Sequence, residues 1–253
     1  MTMDAILPAR RAFYHEHPDQ LRLETEVIES RPGRLLLAQS PFFRGGGGQL
    51  ADRGRIRWSG GEAQIAGFET EAGRHWVLLE QEIQGQEIQR QEVHGKVEAI
   101  VDPEFRRLMT VMHTYTHILN ACVYCSFDGA LVTGVQMNDD GTARMDFDLP
   151  EADNERLRAL EAPINAAIAE NLPVSDFYVS LAVAEAEPGL IRTRSVAPPP
   201  TDDGLVRIVE IAGLDRQACG GTHLASTDGG RRLRILKIDN KGRHNRRIRV
   251  ALD

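Results

Sequence analysis

Four residues of this 253-residue chain have the types and spacing needed to hold a metal ion. In His113-Thr114-Tyr115-Thr116-His117 two imidazoles stand four residues apart, and side chains at that interval share one face of a helix. Alone, such a pair on a half-buried helix is more often an ordinary structural feature than a metal site. Cys219-Gly220-Gly221-Thr222-His223 supplies a second pair at the same interval, with two glycines that permit a sharp backbone path bringing thiolate and imidazole to one point. Three imidazole nitrogens and one sulfur form a borderline-soft set that suits zinc better than magnesium or calcium.

The remaining cysteines do not belong to this set. At about 100° per residue, Cys122 lies about 180° and Cys125 about 120° around a helix from His113, whereas His117 is only about 40° away. Both read as small core residues on the buried face of the helix. Thr114 stands where a His-Glu-x-x-His helix would carry its general-base glutamate, which disfavours a peptidase of that kind. The glycine-rich run from Gly45 to Gly48 has neither the Lys-Ser/Thr ending of a phosphate-binding loop nor the setting of a dinucleotide fingerprint, so nucleotide binding is rejected.

The elements that must position these residues are legible in the pattern of the chain. From Leu21 to about Val101, short alternating runs broken by Gly and Pro predict a β-meander or small barrel, with residues 81–95 as a hairpin region closing it. Asp102-Pro103-Glu104 combines an N-cap, a first-turn proline and an acid, and predicts the start of a long helix that stops near Gly129. A hairpin follows, residues 131–137 and 143–149 around Asn138-Asp139-Asp140-Gly141. Residues 151–172 read as one helix kinked at Pro163, residues 197–204 as a surface loop, and residues 205–211, 233–238 and 246–252 as strands. Strands and helices without regular βαβ alternation predict an α+β class: a barrel-like domain over 1–101, then an α+β zinc-containing domain with an antiparallel sheet over 102–253.

Composition narrows the function classes. Thirty Lys and Arg against 37 Asp and Glu give a formal charge of −7, which excludes a globally basic nucleic-acid binder. A local patch remains, because residues 231–249 hold nine Lys or Arg against one acid, Asp239. Its two readings are a solvated edge hairpin and a phosphate-contacting surface, and its nearness to Cys219 and His223 favours the second. No apolar run is long enough to span a bilayer, and the start lacks a signal-peptide pattern, so a cytoplasmic protein is expected.

Four ordered blocks give the chain a resemblance to the editing domain of alanyl-tRNA synthetase and its free-standing AlaX relatives. The family's His-x-x-x-His helix matches His113 and His117, and its Cys-Gly-Gly-Thr-His segment matches residues 219–223 after the similar Asp215-Arg216-Gln217-Ala218. Its glycine-rich signature is similar to residues 41–54, and its basic C-terminal strand to residues 241–248. Arg44, Gly45 and Leu50 depart from the usual pattern. The resemblance implies a hydrolase carrying one Zn2+, held by His113, His117, Cys219 and His223. Its substrate would be tRNA for alanine wrongly charged with serine or glycine, cleaved in trans. A site that hydrogen-bonds the serine hydroxyl rejects alanine by leaving polar groups unpaired. Thr114, Thr116, Gln217 and Thr222 are the candidate catalytic and hydroxyl-reading residues, although the threonines read equally well as backbone-bonded helix residues. Ser40, Gly46, Gly47, Gly48, Gln49 and Asp52 are candidate substrate contacts, and Lys241, Arg243, Arg246 and Arg247 candidate tRNA contacts. Two other readings are kept: a zinc hydrolase of another small acyl or aminoacyl ester, and a non-catalytic tRNA-binding module stabilised by zinc.

Overall fold

A computed structural model describes residues 11–80, 82–83, 86–87, 92–150, 153–193, 201 and 203–253. The chain forms two compact units, one of Ala12–Gly46 with Leu50–Leu108, the other of Arg11, Gly47–Gln49 and Met109–Asp253.

The first unit contains a short helix α1 (Phe13–Glu16) and the strands β1 (Arg22–Arg31), β2 (Arg34–Leu37), β3 (Gly54–Trp58), β4 (Gly61–Glu71) and β5 (Arg74–Leu79). A two-stranded ribbon of β6 (Glu82–Ile83) and β7 (Gln86–Glu87) precedes β8 (Gly95–Val101). The rest of the expected hairpin region, residues 81, 84–85 and 88–91, lies outside the described residues. Six strands close an antiparallel barrel in the order β1-β2-β5-β4-β3-β8. Alternation explains the closure. Leu35, Ile56, Ala63, Val77, Leu79, Val97, Ala99 and Val101 turn inward to one core, and a closed barrel leaves no unpaired edge. Ala72 and Gly73, both with positive φ, make the tight β4–β5 turn that matches strand twist.

Asp52 belongs to this barrel unit. Its carboxylate accepts the Phe43 amide at 2.7 Å and pairs with Arg106, which also donates to Pro41 O at 2.8 Å. Both side chains are buried. Burial pushes the Asp52 carboxyl up, against the pull of Arg106.

The long helix α2 (Pro103–Ser126) starts where Asp102 Oδ1 accepts the amides of Glu104 and Phe105. From Val111 to Ala121 every residue is buried, so this is a core helix and not a half-buried one. Its polar side chains must therefore find partners inside the protein. The helix emerges at its last turns: Cys122 is half-buried and Cys125 exposed. Cys125 is thus a surface residue, contrary to the core role expected for it, because the helix outruns the layer packed on it.

The second unit continues with β9 (Val132–Met137), β10 (Thr142–Asp148), α3 (Asn154–Ala159), α4 (Glu161–Ala169), β11 (Val174–Ser180), α5 (Leu181–Ala186), β12 (Leu205–Ile211), β13 (Asp215–Ala218), β14 (Leu233–Lys241) and β15 (Asn245–Leu252). They build two antiparallel sheets, β14-β15-β10-β9 and β11-β12-β13. The expected single kinked helix is two helices, broken at Leu160 and not at Pro163. A proline ring clashes with the carbonyl four residues back, here Ala159, which is where α3 ends; Pro163 itself sits in the first turn of α4, where its missing N–H costs nothing. Strands β11 and β13 and helix α5 were not anticipated. The expected loop at 197–204 lies largely outside the described residues. Among the described residues no helix is long and apolar enough to cross a membrane.

Candidate metal centre

Two elements and one turn bring the ligands together. Helix α2 supplies His113 and His117 from one face. Strand β13 pairs with β12 in register Asp215↔Ile211 and Gln217↔Val209, and its alternation puts Asp215 and Gln217 on the buried side, with Cys219 next in phase. The chain then turns through Gly220-Gly221 to His223. Gly221 is there for want of space: a Cβ would stand 2.0 Å from His113 Cε1 and 2.2 Å from its Nδ1.

Ligand atoms of His113, His117, Cys219 and His223 all lie within 4.8 Å of one another. Cys219 Sγ is 3.4 Å from His113 Nε2 and 3.3 Å from His223 Nε2. Around a tetrahedral zinc with Zn–S about 2.3 Å and Zn–N about 2.05 Å, sulfur and nitrogen stand about 3.5 Å apart, so these donors fit that ion in type and spacing. The electrostatics favour the charged form of the sulfur, and a metal ion on His117 would have to displace a proton from it. Burial pushes the Cys219 thiol up, but the three imidazoles outweigh it and hold the thiol well below its usual range. Burial lowers His117, yet the Cys219 charge and the Asp215 hydrogen bond carry it up to about 9; His223 is held low by burial and by the other two histidines. The cluster thus keeps its sulfur as the thiolate that a metal requires.

Each imidazole is held from behind. His113 Nδ1 donates to Gln49 Oε1 at 2.7 Å; the same oxygen accepts the Thr222 amide at 3.0 Å, and Gln49 Nε2 donates to Thr222 Oγ1 at 2.9 Å. Thr222 Oγ1 is also 2.8 Å from Thr110 Oγ1. His223 Nδ1 is 3.4 Å from Thr114 Oγ1, which donates to Thr110 O and accepts the Leu224 amide. His117 Nδ1 faces Gln217 Nε2 at 3.0 Å and Asp215 Oδ2 at 3.5 Å. Ligands backed by hydrogen-bond partners in this way are characteristic of metal sites.

The other candidate residues are distributed as follows. Gly47, Gly48 and Gln49 fall in the unit that holds the cluster; Ser40, Gly46 and Asp52 fall in the barrel unit. Gly48, with φ +83°, lies so close to β9 that a Cβ would meet Val135 O at 2.7 Å, and its carbonyl accepts the Met137 amide. Thr116 Oγ1 donates to His113 O at 2.7 Å, and Ser40 Oγ accepts the Phe42 amide at 3.4 Å. In the basic strands, Arg247 makes two 2.7 Å bonds to Asp146, and Arg246 is buried with its Nε unpartnered among the described residues. Lys241 and Arg243 are exposed at the β14–β15 turn, with no carboxylate partner among the described residues. Asp215, Arg192 and Asn120 were not singled out from sequence. Thr110 was not either, although it stands three residues before His113 and so shares its side of the helix.

Known proteins are similar to this chain over most of its length. Residues 206–249 match the family described as the threonyl and alanyl tRNA synthetase second additional domain. The alanyl-tRNA editing protein AlaX-M of Methanosarcina barkeri is 33% identical over 222 residues, covering 86% of this chain and 88% of the relative. Its counterpart in Methanosarcina mazei is 34% identical over 223 residues, 86% of each. An alanine–tRNA ligase of Korarchaeum cryptofilum is 32% identical over 87% of this chain, which corresponds to 24% of the ligase. With these relatives, its closed barrel and its buried cluster of ligand pairs, the chain belongs to the AlaX family of alanyl-tRNA editing proteins.

Proposed function

We propose that this protein is a zinc-dependent deacylase that hydrolyses the ester of serine, and of glycine, wrongly attached to tRNA for alanine, acting in trans in the cytoplasm. The observation that carries the reading is the buried cluster of three imidazoles and a cysteine sulfur at zinc spacing, in a chain of this family. Zinc bound by His113, His117, Cys219 and His223 would supply a positive centre that polarises the ester. The chain's own residues do the rest. Gln49, Thr222 and Thr110 hold His113, and Thr114 holds His223. Gln217 is engaged through both amide atoms, accepting from Asn120 and donating to Asp215. Thr116 lies about 60° around the helix from His113 and has given its hydroxyl hydrogen to the backbone, which leaves an oxygen able to accept the substrate hydroxyl. Alanine offers no hydroxyl to that acceptor. Gly47 and Gly48, in the unit of the cluster, are proposed to shape the approach of the acceptor end, and Ser40, Gly46 and Asp52 are proposed as substrate contacts of the barrel unit.

The test is hydrolysis of serine-, glycine- and alanine-charged tRNA for alanine by the zinc-loaded protein. The serine ester is expected to be cleaved about 10,000-fold faster than the alanine ester, the lower range for a hydrogen-bonding discriminator. Equal rates on the two would contradict the editing assignment, and equal rates on free aminoacyl esters and on tRNA would favour a small-ester hydrolase.

Exposure favours Lys241 and Arg243 as the phosphate-binding cations over the paired Arg247 and the buried Arg246. A Lys241→Ala, Arg243→Ala protein should therefore bind tRNA more weakly. Its plot of log affinity against log salt should flatten by about 0.9 for each duplex phosphate no longer neutralised, or about 0.7 for each single-stranded one, with zinc content unchanged. An unchanged slope would return both residues to the role of solvated turn charges.

A further inference from the structure

We propose that Asp215 is the positioning residue of His117: anchored by Arg192, its carboxylate accepts the His117 Nδ1–H and so aims Nε2 into the cluster. The inference rests on the zinc-site reading above. It starts from a conflict between that reading and the hydrogen bonding, because the two Gln217 amino hydrogens can serve Asp215 and His117 Nδ1 together only while Nδ1 carries no hydrogen. His117 Nδ1 has two polar neighbours, Gln217 Nε2 at 3.0 Å and Asp215 Oδ2 at 3.5 Å. A neutral imidazole that ligates through Nε2 carries its hydrogen on Nδ1 and needs an acceptor there. The Gln217 amino group is no acceptor. Turning the amide over would set its oxygen against Asp215 Oδ2, 2.7 Å away, two acceptors at hydrogen-bond distance. With zinc on Nε2 and a hydrogen on Nδ1, Gln217 keeps its bond to Asp215 and loses the one to His117, and the Asp215 carboxylate at 3.5 Å is the acceptor that stands beside that hydrogen.

The surroundings are built to hold that carboxylate. Asp215 has no side-chain exposure, and a carboxylate so buried requires a fixed countercharge. Arg192 supplies it, with Nη1 2.6 Å from Asp215 Oδ1. Arg192 is itself fixed, by donation to Gly189 O at 2.8 Å and by stacking 4.1 Å over the Tyr124 ring. Tyr124 is seven residues after His117, two turns along the same face of α2, so the arginine lies along the stripe that presents the imidazole. The other two histidines have neutral acceptors behind them, Gln49 and Thr114; among the described residues His117 alone of the three has a carboxylate.

The experiment is a zinc-affinity cycle by chelator competition on wild type, Asp215→Asn, Arg192→Gln and the double variant, with folding checked by circular dichroism. Asp215→Asn should weaken zinc binding about 10- to 100-fold, the usual effect of removing such a partner, and should do so in the Arg192→Gln background as well. If Asp215 were only the partner of Arg192, the carboxylate substitution would add nothing in that background, and the proposal would fall. Should Asp215→Asn not fold, proton–nitrogen correlation on the zinc-loaded wild type decides: a protonated, hydrogen-bonded His117 Nδ1 is expected, and an unprotonated Nδ1 overturns the assignment. A wild type with no zinc affinity would instead overturn the metal reading itself, whereas tight binding untouched in both backgrounds would overturn only the role of Asp215.

Discussion

Cys219→Ala is expected to cost the protein its zinc. Tetrahedral sites in small domains bind with about 10–16 kcal/mol, so one ligand in four carries roughly 2.5–4 kcal/mol, or about 100- to 1,000-fold in affinity. The loss should sit at the upper end here, because Cys219 is the only anionic ligand and lies at the closest approach of His113 and His223. No other thiol can replace it: Cys122 points away around α2, where burial pushes its thiol up to about 11, and Cys125 is at the surface. Metal analysis after dialysis checks this. Cys122→Ala and Cys125→Ala should keep a full complement of zinc, and a Cys219→Ala protein that also kept it would remove the thiolate from the site.

Gly221→Ala should be nearly as damaging, although Gly221 ligates nothing. The added methyl would overlap the His113 ring and come within 2.8 Å of Gln49 Oε1. Neither side can yield. The turn is pinned by Arg207 Nη1 to Gly221 O at 2.9 Å and by Thr222 N to Gln49 Oε1 at 3.0 Å, and the ring sits on a fully buried stretch of helix. Overpacking of this kind costs about 1–3 kcal/mol of stability, and a displaced His113 cannot reach the metal. Zinc binding and serine-ester hydrolysis should fall together. Gly230→Ala is the control: its φ is positive, but there is open space around the new methyl, so it should cost some stability and leave the zinc in place. Retention of metal by Gly221→Ala would show that the turn is looser than these distances imply.

The four ligands were legible in the sequence because each pair is local, and helical or turn geometry fixes the direction of residues four apart. The barrel was legible for a similar reason, since alternation and glycine turns are short-range signals. What supports the ligands was not. Gln49 reaches His113 across 64 positions and Thr222 across 173, so its place in a glycine-rich block suggested a substrate loop and hid its bonds to the ligand turn. Strand β13 is four residues of mostly polar character, and it makes sense as a strand only once its buried face is seen to set Asp215, bonded by Gln217, beside His117. Strand β11 was missed because it is largely open to solvent and shows no clean alternation. The basic C-terminal strands show the converse. Nine cations between residues 231 and 249 looked uniform, but strand register sets Arg247 opposite Asp146 and turns Arg246 inward, which leaves Lys241 and Arg243 as the exposed members of the four candidate tRNA contacts.

Serine-charged tRNA for alanine offered to metal-stripped protein, before and after one equivalent of zinc is returned, tests the central claim most directly. Hydrolysis should fall to the uncatalysed rate on stripping and recover on addition of zinc, with the fold retained throughout. Hydrolysis at full rate by the folded, zinc-free protein would contradict a zinc-dependent deacylase.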